Sequence, residues 1–296
     1  MGDFAGEAQA TLSQRSQEFG EPAWAIAAES SNSQTAADHD LTLVIPAYNE
    51  ERRLGPTLDA LESYLDRTKI DYRILVVDDG SQDATARVAQ GRGHRFETIC
   101  LERHLGKGAA VRTGMLAARG AVVGFTDADL PYSLDSIQEG FDCICQSRCE
   151  VVFGARDLTC SIPHVRRRLS RQISTAVFSR VAAALISREV TDTQCGLKLF
   201  SGAAARAIFS RATINGFAFD AEVVLLTERL RLSYLRVPVS LVNECSSTLT
   251  LRRHALPMLR DLFKVWGRHT GRLAFASPDS YFRLGLSGSV DAGVDS

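Results

Sequence analysis

Five short apolar runs, each closing on polar or acidic residues, constrain this chain more than any other feature. They are LTLVIP at 41–46, RILVVD at 73–78, FETICL at 96–101, AVVGFTD at 121–127 and VVFGAR at 151–156. Each is too short for a helix and apolar on both faces, as strands buried on both sides are. Helical periodicity fills the gaps: Leu54, Leu58, Leu61 and Leu65 after the first run, Ala84, Val88 and Ala89 after the second, and 107–119 after the third. Strands alternating with amphipathic helices build βαβ units, so the expected fold is α/β with a mostly parallel sheet flanked by helices. Such open sheets bind ligands at the carboxyl ends of their strands, which is where the polar residues fall.

Three of these strand ends are acidic. The first carries Pro46, Ala47, Tyr48, Asn49 and Glu50, the second Asp78 and Asp79 in DDGSQDAT, and the fourth Asp127, Ala128 and Asp129. Asp83, just ahead of a helix, reads as its N-cap. Asp127 and Asp129 are different, because alternate residues at a strand end point the same way and concentrate negative charge. Like charges so close need a cation or donor groups between them. A divalent metal held by one or two carboxylates and a substrate's phosphates meets that need. Lys107, flanked by Gly106 and Gly108 at the start of a helix, is placed for either a phosphate or the acidic cluster; the spacing is not that of a P-loop.

Composition narrows the classes. With 34 Lys and Arg against 35 Asp and Glu, the net charge of −1 gives no field that would draw nucleic acid. Aromatics at 7% argue against a base-stacking platform as well. The seven cysteines, an odd number with no C-x2-C pair, fit reduced thiols better than disulfides or zinc. Cys143 and Cys145 should point to opposing sides of one helix. No stretch approaches the roughly 18 apolar residues of a membrane span, and no secretory signal opens the chain. Residues 1–39 and 271–296 read as flexible tails around one domain at 40–270.

The ordered set IPAYNE, VDDGSQDAT, HLGKGAAVRTG, DADL, FGARD, DTQCGLKLF (192–200), GFAFDAEVV (216–224) and VPVS (237–240) resembles the family 2 glycosyltransferases. Within them it is similar to the dolichyl-phosphate glucosyltransferase and dolichol-phosphate mannose synthase group, over roughly residues 41–268. The resemblance implies a GT-A fold and an inverting, metal-dependent hexosyl transfer from a nucleoside-diphosphate sugar, with Mg²⁺ or Mn²⁺. On matching positions it implies that Pro46, Tyr48, Glu50, Val77 and Asp79 hold the nucleoside. Asp127, Ala128 and Asp129 match the donor- and metal-binding DxD motif, Arg156 an arginine near the phosphates, and Asp192 an acid facing the acceptor, with Gln194 beside it.

The glucosyl branch is the nearer one, so UDP-glucose is expected ahead of GDP-mannose, with a polyprenyl phosphate as acceptor. Two departures stand out. Pro131 replaces a glutamine that often helps to hold the metal in the mannose synthases. The stretch 243–249 lacks the basic residues that follow VPVS in much of the family, leaving Arg252 and Arg253 as substitutes. The basic run Arg166, Arg167, Arg168 and Arg171 opens a helix with an apolar stripe, which suits an anionic membrane surface, and the segment 256–266 is a second contact candidate. The expected location is cytoplasmic, peripheral at the cytoplasmic face of a membrane. Two rival readings are transfer to a soluble or protein-linked hydroxyl, with Asp192 as a true base, and a nucleotide-sugar-binding protein without turnover.

Overall fold

β1 (Leu41–Ala47) is buried along its whole length and forms the axis of the sheet. The computed structural model describes residues 39–158 and 195–240. Asp192, Gln194, the basic run 166–171, Arg252, Arg253, the segment 256–266 and nearly all of both expected tails lie outside these residues. After β1 come α1 (Glu51–Leu65), β2 (Tyr72–Asp78), α2 (Thr85–Gln90), β3 (Phe96–Cys100), α3 (Lys107–Ala117), β4 (Val122–Phe125), α4 (Asp135–Cys145) and β5 (Val151–Ala155). A single 3-10 turn, Arg156–Leu158, ends this block. The second block holds β6 (Lys198–Ser201), α5 (Gly202–Phe209), α6 (Phe219–Arg229) and β7 (Tyr234–Pro238).

The seven strands lie in the order β3-β2-β1-β4-β6-β5-β7. β1 pairs in parallel with β2 on one side and β4 on the other. The three acidic strand ends therefore stand side by side, with the chain order reversing at β1. The expected parallel character holds except at β6, which is antiparallel to both β4 and β5. An apolar run does not encode strand direction, so nothing in KLFS distinguished it.

Alternation along β1 splits the core. Val44 joins Val77, Phe125, Phe200 and Phe219 beneath α3, α5 and α6. Leu43 and Ile45 face the opposite way, onto Leu54, Leu58 and Leu61 of α1 and Ile137 of α4. The Leu54, Leu58, Leu61 and Leu65 stripe read from the sequence is buried, at roughly 1.5–3 kcal/mol for each side chain. Pro46 sits in this central strand without cost to the ladder. Thr126 N donates to Val44 O, so the β1 groups at 44 and 46 face the β4 side, and β4 stops at Phe125 opposite Val44.

Cys143 is buried and Cys145 exposed on α4, as expected of a CxC pair on a helix, while Cys149 is buried just before β5. The described cysteines are free thiols. Among the described residues no helix is long and apolar enough to cross a membrane.

Candidate active site

The polar residues at the ends of β1, β2 and β4 converge through hydrogen bonds between loops. After β1 the chain turns at Asn49, whose φ is 54°. Asn49 N donates to Ser81 Oγ, and Gln82 N donates back to Asn49 Oδ1, both at 2.9 Å. The N-cap of α2 is Ala84 rather than the expected Asp83; Asp83 stands one residue earlier, and its Oδ1 accepts from Thr85 N at 2.9 Å, turning the chain into the helix. Thr85 Oγ1 is in turn the acceptor for Glu50 N at 2.8 Å. The PAYNE and DDGSQDAT segments are thus one unit.

Asp79 is 2% exposed and holds the loop before α3. Its two carboxylate oxygens accept from Leu105 N at 2.8 Å and Gly106 N at 2.9 Å. His104 Nδ1 lies 2.7 Å from Oδ2, and the imidazole stacks on Tyr48 with ring centroids 3.9 Å apart. Tyr48, Asp79 and His104 therefore form one exposed aromatic face above a buried carboxylate, a suitable shelf for a planar base. The side chains of Pro46 and Val77 are buried within the sheet, Val77 in the core under α3. The Glu50 carboxylate is held by Arg53 through two bonds of 2.6 and 2.7 Å. Burial still raises its pKa, with Asp129 and Asp83 adding to the rise against the pull of Arg53.

Truncation of Asp79 to Ala frees two loop amides and the His104 ring. Free-UDP affinity measured by calorimetry should weaken by about 1–3 kcal/mol if the shelf depends on this carboxylate. Unchanged affinity would remove Asp79 from the site.

The glycines around Lys107 serve the fold. Gly106 has φ 106°, and a Cβ there would come within 2.5 Å of Asn215 O. That carbonyl accepts from Gly108 N at 2.8 Å and from Ala109 N at 3.3 Å. The first amides of α3 are thus met by the 213–216 loop, and the Lys107 side chain turns to the acids. Its Nζ is 2.5 Å from Asp127 Oδ1. Burial works against the ammonium, but Asp127, Asp220 and Asp129 outweigh it and raise the pKa well above the ordinary lysine value. Of the two roles open to Lys107, the structure shows the one toward the acidic cluster.

Asp127 to Leu130 form a tight turn: Leu130 N donates to Asp127 O at 3.2 Å, and Leu130 has φ 38°. Thr57 Oγ1 of α1 donates to Ala128 O at 2.6 Å and fixes the turn from below. One oxygen of Asp127, Oδ1, pairs with Lys107. No hydrogen bond or ion pair from a described residue reaches the half-buried Asp129 carboxylate. Among the described residues no group of three or more His, Cys, Asp and Glu side chains could hold a metal by itself. Two carboxylates, one of them unengaged, match a cation whose remaining ligands are water and a substrate's phosphates.

Three residues that the sequence reading left without roles surround this turn. Tyr132 is buried, and its hydroxyl accepts from Gly196 N at 3.1 Å. Burial raises its pKa, as do Cys195 and Asp127, while Arg156 acts in the opposite direction, so the phenol stays protonated. Arg156 therefore lies within electrostatic range of Tyr132. Lys198 Nζ lies 2.6 Å from Asp220 Oδ1. Burial raises the Asp220 carboxyl, and Lys198 and Lys107 act against that. The available signal was Lys198 itself: a lysine between apolar residues in GLKLF needs a buried acid partner.

The family model for Glycosyl transferase family 2 matches residues 42–209. The Dolichyl-phosphate beta-glucosyltransferase of Drosophila melanogaster is 35% identical over 245 residues, covering 78% of this chain and 75% of that protein. The Homo sapiens protein of the same name is 31% identical over 241 residues, covering 76% and 74%. Among solved structures, glucosyl-3-phosphoglycerate synthase from Mycobacterium tuberculosis with Mn²⁺, UDP-glucose and phosphoglyceric acid superposes with a TM-score of 0.57 at 18% identity, covering 78% of this chain and 81% of that one. Mannosyl-3-phosphoglycerate synthase from Rubrobacter xylanophilus gives 0.60 at 16% identity, covering 82% and 79%. At those identities the likeness shows the fold, a GT-A arrangement with a seven-stranded mixed sheet.

Proposed function

Because the chain belongs to glycosyl transferase family 2 and is a glycosyltransferase, we propose that it transfers glucose from UDP-glucose to dolichyl phosphate, with inversion and with a divalent cation at Asp127 and Asp129. The observation that carries the donor side is the turn after β4. It offers the unengaged Asp129 carboxylate beside Asp127, whose charge Lys107 already balances. The acceptor reading is supported by relatives at 31–35% identity whose name specifies a beta-glucosyl transfer to dolichyl phosphate. A beta product from the alpha-linked UDP-glucose requires one inversion at the anomeric carbon.

Each part of the site then has a task. Tyr48 and His104 form the shelf for the base, and Asp79 keeps the shelf in place. Asp127 and Asp129 would hold the cation, Mg²⁺ or Mn²⁺, which when bound would supply positive charge against the leaving diphosphate. Lys107 keeps Asp127 in place and adds positive charge on the same side, and Arg156 adds more. A lipid phosphate monoester, by analogy with phosphoserine, has a second pKa near 6 and is largely ionised at pH 7. It can attack the anomeric carbon without a strong base. Asp192, assigned from the sequence alone, orients this acceptor.

We place the enzyme peripherally at the cytoplasmic face of a membrane. The basic run Arg166, Arg167 and Arg168 supplies the attraction, at about 1 kcal/mol per residue near an anionic surface. Replacing all three by alanine should weaken sedimentation with anionic vesicles by about 3 kcal/mol and leave UDP affinity unchanged. Equal vesicle binding by variant and parent would exclude this docking mode. The whole reading is tested by transfer from radiolabelled UDP-glucose to dolichyl phosphate in vesicles, with Mn²⁺ and with excess chelator. Metal-dependent glycolipid formation is expected. Transfer to a soluble hydroxyl with none to the lipid phosphate would overturn the acceptor assignment. UDP-glucose binding without any turnover would overturn the enzymatic one.

A further inference from the structure

Lys198 occupies the middle of the sheet on β6, in register with Phe125 of β4 and Phe153 of β5, and only 1% of it is exposed. An ammonium buried this way is costly unless its charge is met, and the donor and acceptor assignments above make no use of it. It has two acceptors, Asp220 Oδ1 and the carbonyl oxygen of Cys195, each at 2.6 Å. Its position above the Phe125 ring, 5.4 Å from the centroid, adds a further attraction. The Cys195 carbonyl belongs to the same peptide plane as Gly196 N, which donates to the Tyr132 hydroxyl. That peptide is therefore pinned at both of its polar atoms. Gly196 in turn lies directly against Asp127, where a Cβ would collide with Oδ2. Asp127 is confined by Lys107 on one oxygen and by Gly196 on the other. Asp220, packed near Lys107 as well as Lys198, completes an alternating series of charges from Asp127 through Lys107 and Asp220 to Lys198.

We propose that Lys198 and Asp220 are positioning residues for the DxD turn: their ion pair locks the Cys195–Gly196 peptide against Asp127 and so fixes that carboxylate in its Lys107-bound orientation. This rests on the proposed metal role of Asp127 and Asp129. The pair acts chiefly through the Gly196 main chain, with Asp220 also facing Lys107.

The test uses the full chain and a readout that fold stability alone does not move. Free Mn²⁺ is followed by electron paramagnetic resonance in the presence of UDP, beside kcat and the KM for dolichyl phosphate. The double variant Lys198→Met/Asp220→Leu removes both charges at similar volume, a replacement buried pairs often tolerate. It is expected to melt cooperatively, to bind Mn²⁺ at least 10-fold more weakly, and to lose at least 10-fold in kcat with the acceptor KM within 2-fold of the parent. Gly196→Ala, which leaves the pair intact, should give the same signature. The two changes together should lose no more than the larger of them, since both act through one peptide. A folded double variant with Mn²⁺ affinity and kcat within 2-fold of the parent overturns the proposal, as do additive losses. If the double variant does not fold, parental Mn²⁺ affinity in Gly196→Ala overturns it. Asp129→Asn in the same titration separates the two readings: unchanged affinity there removes the metal role itself, whereas weakened affinity there with none in the pair variants removes only the positioning role.

Discussion

Asp129→Asn is expected to lower kcat by about 10²- to 10³-fold, the loss typical when one preorganised stabiliser of developing charge is removed. An amide is a poorer ligand for a hard divalent cation and carries no charge to balance it. The substitution is close to isosteric, and the carboxylate has no described partner to lose, so the melting temperature should stay within a few degrees of the parent. UDP-glucose turnover titrated with Mn²⁺ checks both points. A variant with near-parental kcat and unchanged metal dependence would show that the turn after β4 does not hold the cation. Asp127→Asn should also be severe, but its loss is mixed, because it leaves Lys107 without the partner now 2.5 Å away.

Glu222→Ala should be the most destabilising single change predicted here. Glu222 is fully buried on α6 and accepts from Thr213 N at 2.9 Å, Thr213 Oγ1 at 2.9 Å and Ile214 N at 2.8 Å. Losing these acceptors in a buried site should cost on the order of 3 kcal/mol or more, since stranded donors carry their full desolvation penalty. The loop it braces continues to Asn215, whose carbonyl meets the first amides of α3 beside Lys107. The destabilisation should therefore be accompanied by weaker nucleotide binding. Urea unfolding measures the first effect and UDP calorimetry the second. Glu222→Gln, which keeps the volume and one oxygen, should lose about half as much. A loss under about 1 kcal/mol in the alanine variant would mean that other groups satisfy the loop.

The sequence by itself determined the βαβ organisation, the leucine stripe of α1 and the placing of acids at three strand ends, because each is local periodicity along the chain. The split between Cys143 and Cys145 was legible for the same reason, whereas the cap of α2 falls on Ala84, one residue past the expected Asp83. Motif order also carried the family assignment, since eight segments in sequence need no knowledge of their contacts. Only the tertiary structure decided which way β6 runs and what the charged side chains do. Asp79 reads as a ligand-facing acid in VDDGS, yet both of its oxygens are spent on the 105–106 amides. Lys107 was open to a phosphate or to the acids, and the fold pairs it with Asp127 while Asn215, about a hundred residues on, meets the first helix amides. Lys198 and Asp220 lie 22 positions apart and join at the centre of the sheet. Pairing of this kind depends on which strands become neighbours, and burial then forces the charges to find each other, because an unpartnered charge in that interior would cost more than the fold could bear.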